Sequence, residues 1–221
     1  MAKTVDKGVL ITLEGPEGSG KSTQSKLLEA FLRRQGHKVL RVWDPGSTLL
    51  GESVRNILLH FRGNISARAE TMLYLASRAQ LVDEKIAPAL EKGFIVICDR
   101  FADATLCYQG YGLGIDKSLI RLCNRFVTRS ITADLTIFLD TNVGEGLKRS
   151  KRVKGFSDRI EKRGRDFHNK VRKGYLEIAK RFPKRIETIS VDAKEPQATH
   201  YLIKELVLNV IKRHKRPRQG R

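Results

Sequence analysis

The run Gly15-Pro16-Glu17-Gly18-Ser19-Gly20-Lys21-Ser22 decides how this chain is read. Its spacing is G-x-x-x-x-G-K-[ST], and both flanks supply the setting that spacing needs. Upstream, Val9-Leu10-Ile11-Thr12-Leu13 reads as a short buried strand. Downstream, Ser22 to Arg34 reads as a helix, with Leu27, Leu28, Phe31 and Leu32 at helical spacing. A strand, a glycine-rich turn and a helix start together make a cradle for anions. The glycines let successive backbone N–H groups converge on phosphate oxygens. The unpaired amides of the helix N-terminus add positive potential. Lys21 is expected to reach the outer phosphates, and the Ser22 hydroxyl to sit on Mg²⁺.

Outward from this loop, apolar runs alternate with helical patterns. Strands are expected at 8–14, 38–43, 94–98, 134–140 and 186–191, and helices at 21–35, 50–60, 67–91, 117–130, 143–152, 160–182 and 197–213. Such alternation implies βαβ units and a parallel sheet with helices on both faces. Ligands then collect at the carboxyl ends of the strands, where Glu14-Gly15, Asp44-Pro45, Asp99-Arg100 and Asp140-Thr141 fall.

A length of 221 residues suits one domain carrying an inserted lid. No apolar run reaches the ~18 residues a membrane helix needs, and residues 1–7 lack a signal peptide's apolar stretch. Cys98, Cys107 and Cys123 are odd in number and lack metal-ligand spacing, which points to reduced thiols in a cytoplasm. The histidines at 37, 60, 168, 200 and 214 likewise show no metal spacing and receive no role. The net charge is +19, and residues 148–185 alone hold 16 Lys/Arg against four acids. An anionic partner is implied. The basic, glycine-punctuated region 141–173 reads as a lid over phosphates, and the basic tail 212–221 as frayed.

Several side chains fit this chemistry. Asp99 ends a buried strand and suits a metal, held directly or through water, while the adjacent Arg100 can span two phosphates bidentately. Glu17 lies inside the phosphate loop, where phosphates repel it; an acceptor hydroxyl or the metal is left for it to face. Tyr74 and Arg78 are four apart on one helix and share a face, as stacking on a base and binding its edge would require. Thr105 and Gln109, in a polar glycine-rich stretch, either hydrogen-bond a base or cap the next helix.

Taken together, these motifs resemble the thymidylate kinases across residues 8–211. The matching stretches are Leu13 to Thr23, Asp44-Pro45-Gly46-Ser47-Thr48, Ala76-Ser77-Arg78-Ala79-Gln80, Asp99-Arg100-Phe101, Tyr108-Gln109-Gly110 and Asp158-Arg159-Ile160-Glu161. The lid is rich in cations and the loop has no arginine, as in the bacterial type of that family. The resemblance implies a three-layer P-loop NTPase fold with a five-stranded parallel sheet, a homodimer, and Mg²⁺-dependent transfer of the ATP γ-phosphoryl to dTMP. It places ATP on Gly15, Pro16, Glu17, Gly18, Ser19, Gly20, Lys21, Ser22 and Thr23, with Arg149 and the 192–196 turn near adenine. It places dTMP on Asp44, Arg55, Tyr74, Arg78, Arg100, Thr105 and Gln109. Ser22 and Asp99 would hold the metal. Lys21, Arg100, Asp99 and Glu17, with the lid cations Arg152, Lys154 and Arg159, would serve the transfer.

The chain departs from the family pattern at three places. Trp43 stands where an arginine is usual, Ala104 where serine is common, and Lys154 where a lid arginine precedes the glycine. Lysine keeps the charge without the planar fork. These departures predict weaker acceptor binding and slower turnover than in a typical relative. Two alternatives stand beside the main reading: a monophosphate kinase with a shifted acceptor such as dUMP, and a kinase-like scaffold whose basic lid and tail bind nucleic acid.

Overall fold

The five apolar runs form one parallel sheet: β1 (Val9–Glu14), β2 (Val39–Trp43), β3 (Ile95–Asp99), β4 (Leu135–Asp140) and β5 (Ile186–Ser190), in the order β2-β3-β1-β4-β5. The computed structural model describes residues 8–192 and 195–214, with the backbone alone at Lys154. β1 is central, with Leu13 opposite Asp99 of β3 and Glu14 opposite Phe138 of β4. The strand order reverses about β1, so the crevice at its carboxyl end is where a ligand lodges.

The period-2 pleat divides β1 between two cores. Val9, Ile11 and Leu13 pack with Leu28 and Leu32 of α1 (Lys21–Arg34) and with Ile203 and Val207 of α9 (Pro196–His214). Leu10 points to the other face, among Leu81, Val82 and Ile86. A third cluster sets Phe138 against Tyr175 and Ile178 of α8 (Arg165–Arg181). Leu28 and Leu32 are fully buried, and truncating such a leucine to alanine costs about 2–5 kcal/mol.

The remaining helices are α2 (Leu49–His60), α3 (Ala67–Leu81), α4 (Ala87–Glu91), α5 (Ala102–Thr105), α6 (Lys117–Val127) and α7 (Val143–Lys154). Side-chain caps start several of them: Thr48 accepts from Gly51 N, Ser66 from Ala69 N, Asp116 from Leu119 N, and Asn142 from Gly144 N and Glu145 N. α1 differs. Its N-cap is Gly20, whose φ of 89° is left-handed, and among the described residues no side chain caps it.

The elements depart from expectation in four places. The helix expected over 67–91 is interrupted by a π-helical turn at Val82–Ile86 between α3 and α4. Pro88 follows two residues after Ile86 and has no amide to continue the regular ladder. The stretch read as glycine-rich is helical, α5 running into a π-helical turn at Leu106–Gly112. α8 begins at Arg165 rather than 160, behind a run of turns. The tail expected to fray from 212 is helical through His214, where Nε2 lies 3.1 Å from Asp134 Oδ1. Residues 215–221 of that tail, and 193–194 of the turn expected near adenine, lie outside the described residues.

Candidate active site

At the carboxyl end of the sheet lies a cavity of about 480 Å³. The phosphate loop forms one wall, with Glu17, Gly18, Ser19, Gly20, Lys21, Ser22 and Thr23 all in the lining. Gly15 and Pro16 serve it from behind: their carbonyls accept from Lys21 Nζ at 2.8 and 2.7 Å. Burial and the charge of Arg100 push the Lys21 ammonium down to about 8, against partial compensation from Asp99, Glu17 and Glu14. A buried cation and an uncapped helix start therefore face the same space, a combination that attracts polyphosphate.

Ser22 Oγ donates to Asp99 Oδ2 at 2.5 Å. Asp99 Oδ1 is buried and accepts no hydrogen bond among the described residues; Arg100 NH1 lies 3.8 Å from it. A hydroxyl and a carboxylate with a spare oxygen form a hard donor pair that suits Mg²⁺, which takes few protein oxygens and keeps phosphate and water for the rest.

Arg100 follows, in a left-handed backbone conformation with φ 65°. Its NH2 donates to Glu17 Oε1 at 3.1 Å. Both Glu17 oxygens accept from Tyr108 OH at 2.8 Å, and His168 Nδ1 lies 3.6 Å from Oε2. Burial alone would raise the Glu17 carboxyl, but His168 and the charges of Arg100 and Lys21 hold it far below its usual range. Glu17 thus steers Arg100 toward the cavity. Tyr108 entered the sequence reading only as part of a motif, and His168 had no role. His168 is 1% exposed, and neither ring nitrogen has a hydrogen-bond partner among the described residues. Its proximity to Glu17 spans 151 positions of chain and leaves no local signal.

The same cavity is also lined by Asp44, Arg55, Tyr74, Arg78, Thr105 and Gln109. Arg78 is fully buried: Nε pairs with Asp44 Oδ2 at 2.6 Å, and NH1 donates to Thr105 Oγ1 and Asn124 Oδ1, both at 2.7 Å. Asp44 and Thr105, read as ligand contacts, are thus the groups that fix Arg78. The Asp44 carboxyl is raised by burial, against the opposing charge of Arg78. Arg55 NH1 is held by the Pro45 carbonyl at 2.9 Å. Trp43 is not among the lining residues; its Nε1 donates to Glu52 at 2.8 Å.

The lid contributes Arg149 and Arg152 to the lining. Arg149 NH2 reaches Thr141 Oγ1 at 2.8 Å and Asp192 Oδ1 at 3.3 Å, which brings it to the start of the 192–196 turn. Arg159 lies elsewhere. Its NH2 is on Glu70 and its Nε donates to Leu58 O, so it ties the lid to α2 and α3 instead of facing the cavity. The Lys154 side chain lies outside the described residues.

A parallel α/β sheet, a phosphate loop opening α1, a carboxylate at the end of β3 and a cation-bearing lid define a P-loop phosphotransferase of the nucleotide-kinase class. The family model described as thymidylate kinase matches residues 13–203. The chain is 49% identical to a thymidylate kinase of Thermoanaerobacter sp. (strain X514), over 81% of this chain and 87% of that one. It is 45% identical to that of Deinococcus radiodurans, over 87% and 92%. A crystal structure of thymidylate kinase from Ehrlichia chaffeensis superposes with a TM-score of 0.73 at 34% identity, covering 91% of this chain and 99% of that one. The chain belongs to the thymidylate kinase family.

Proposed function

We infer that the protein transfers the γ-phosphoryl group of ATP to dTMP, giving ADP and dTDP. One juxtaposition carries the reading. A single cavity is lined both by Lys21 and Ser22, whose hydroxyl bonds Asp99, and by Tyr74, Arg78 and Gln109, with Arg100 in the same lining. Two nucleotides laid end to end would meet at Arg100.

The acceptor phosphate is already an anion, so an oxygen of dTMP can attack Pγ without a strong base while the bond from Pγ to the β-bridging oxygen breaks and ADP leaves. The obstacle is repulsion between polyanions, which positioned cations offset. Lys21 and the loop amides would hold the donor's outer phosphates. Arg100, held by Glu17, would bridge the acceptor phosphate and the moving group, and Arg55 would steady that phosphate. Tyr74 would stack on thymine. Arg149 would lie by adenine, and Arg152 would supply lid charge. Ser22 and Asp99 would hold Mg²⁺, which when bound neutralises phosphate charge. Glu17, committed to Arg100 and Tyr108, is suited to accept from the acceptor sugar hydroxyl.

The test is ADP release from ATP with dTMP, with dUMP and with no acceptor, run in parallel with and without Mg²⁺. ADP release that depends on dTMP and Mg²⁺ is expected, and its absence with folded protein would overturn the reading.

We propose further that the protein is a homodimer through α2, α3 and α6. Leu119, Leu122 and Phe126 form an exposed stripe on α6, Phe126 being 84% exposed, and Leu49, Leu50, Ile57 and Met72 are exposed on α2 and α3. α3 packs against both α2 and α6, and apolar surface of this kind marks an association site. Among the described residues no helix is long and apolar enough to cross a membrane. Free thiols at Cys98, Cys107 and Cys123 fit a reducing cytoplasm.

A further inference from the structure

Glu70 lies on α3 and is 0% exposed. Three donors converge on it. Gln109 Nε2 donates to Oε1 at 3.0 Å, while Arg159 NH2 and Arg163 NH2 donate to Oε2 at 2.5 and 2.7 Å. Guanidinium and amide nitrogens bring only N–H groups to this carboxylate, so both of its oxygens act as acceptors.

This has a consequence for Gln109, whose side chain lines the base end of the cavity. A glutamine amide is nearly symmetric in shape, with a donating and an accepting end. Glu70 takes the donating end, so the carbonyl oxygen is left for the cavity. Arg78, in the same lining, carries donors only. A base with an N–H beside a carbonyl, the imide edge of thymine or uracil, matches an acceptor next to donors. Cytosine brings a bare ring nitrogen to the carbonyl, lone pair against lone pair.

We propose that Glu70 is a positioning residue for base selectivity: it locks the Gln109 amide with its carbonyl toward the acceptor base, and so favours an imide edge over an amidine edge. Arg159 and Arg163 make this lock part of the lid's attachment. The proposal rests on the acceptor site described above.

The test compares kcat/KM for dTMP and for dCMP in the wild type, in Glu70→Gln and in Gln109→Met. In Glu70→Gln the new amide can donate to or accept from Gln109, so either orientation is allowed. The dTMP-to-dCMP ratio should fall about tenfold, chiefly through KM for dTMP, as expected for one misdirected buried hydrogen bond. Gln109→Met should lower the ratio similarly while leaving the Glu70–arginine pairs in place. Equal losses with both acceptors in Glu70→Gln would mean a structural role only and overturn the proposal, as would a wild-type ratio in Gln109→Met. NMR of the wild-type protein gives a reading that does not depend on a variant folding. The Gln109 side-chain amide protons should exchange slowly with and without dTMP, and loss of protection on adding dTMP would overturn the lock. A wild type that leaves dTMP unphosphorylated would instead overturn the underlying function.

Discussion

Gly18 of the phosphate loop and Gly146 of the lid helix α7 meet backbone to backbone. A Cβ on Gly18 would lie 1.9 Å from Gly146 O, and one on Gly146 would lie 2.3 Å from Glu17 O. The loop proposed to hold phosphate therefore touches the helix that carries Arg149 and Arg152. Gly146→Ala should push α7 away from the loop, raising KM for ATP about tenfold and costing roughly 1–3 kcal/mol of stability. Steady-state kinetics and urea unfolding measure both, and an unchanged KM for ATP would separate the lid from donor binding.

Lys21 makes a prediction about pH. Its ammonium titrates near 8 because burial and Arg100 lower it. Below that value it carries its charge; above it, the protein without nucleotide loses the cation proposed to bind phosphate. Bound phosphate restores the charge. The ratio kcat/KM for ATP, which reports on the free enzyme, should fall above about pH 8 toward tenfold per pH unit, while kcat stays level. Lys21→Ala should cut kcat by about two to three orders of magnitude. A kcat/KM for ATP level to pH 9.5 would show that the ammonium keeps its proton.

The sheet and the phosphate cradle were legible because their signals are local. The five strands were bounded by short apolar runs, and the loop by fixed offsets from Gly15 to Ser22. The helix over 102–112 was hidden: Gly110 and Gly112 read as loop residues, yet Leu106 and Tyr108 bury themselves in the core. Partnerships between charges were the least visible part. Arg159 could be ranked as a cation from its motif, but its commitment to Glu70 is set by how the turns after α7 pack on α3, 89 positions away. Glu17 and His168 meet for the same kind of reason. Trp43 shows the converse: its type marks the missing cation directly, whereas the placement of its indole on Glu52 had no signal in the sequence.

Ala104 and Trp43 can accordingly be ranked. Ala104 lines the cavity and Trp43 does not. Ala104→Ser adds a hydroxyl where the acceptor base is proposed to lie and should lower KM for dTMP about two- to tenfold, the worth of one hydrogen bond. Trp43→Arg should change it less than twofold, because an arginine there has Glu52 to pair with. A larger gain from Trp43→Arg than from Ala104→Ser would reverse the ranking.

Phe126 offers a test of assembly. It is the most exposed member of the α6 stripe formed with Leu119 and Leu122. Phe126→Asp places a charge within the proposed contact, where an unpaired buried charge is costly. Sedimentation should show the wild type at twice the monomer mass and the variant shifted toward monomer at micromolar concentration. Identical mass distributions would remove α6 from the interface.

Glu14, at the end of β1, governs stability rather than binding. Its Oε1 accepts from Phe101 N and its Oε2 bonds Tyr175 OH, each at 2.8 Å, and it is fully buried. Burial, then the charge of Asp103, raises its carboxyl to about 8, whereas an unfolded chain ionises this residue near its ordinary value of about 4.3. Between those limits the folded chain holds the proton and the unfolded chain does not, so each rise in pH favours unfolding. The contribution from Glu14 is complete below the lower limit, declines through the interval and levels off above about 8. Glu14→Gln mimics the neutral acid: its oxygen can accept from Phe101 and its NH₂ can donate to Tyr175. The variant should lack the decline and gain on the wild type by a few kcal/mol between pH 5 and 8.5, roughly 1.4 kcal/mol for each unit of separation. Urea unfolding at pH 5, 7 and 8.5 reads this directly. Parallel stability profiles for the two proteins would mean that Glu14 is ionised in the fold, and the support for Arg100 through Phe101 would then be a charged one.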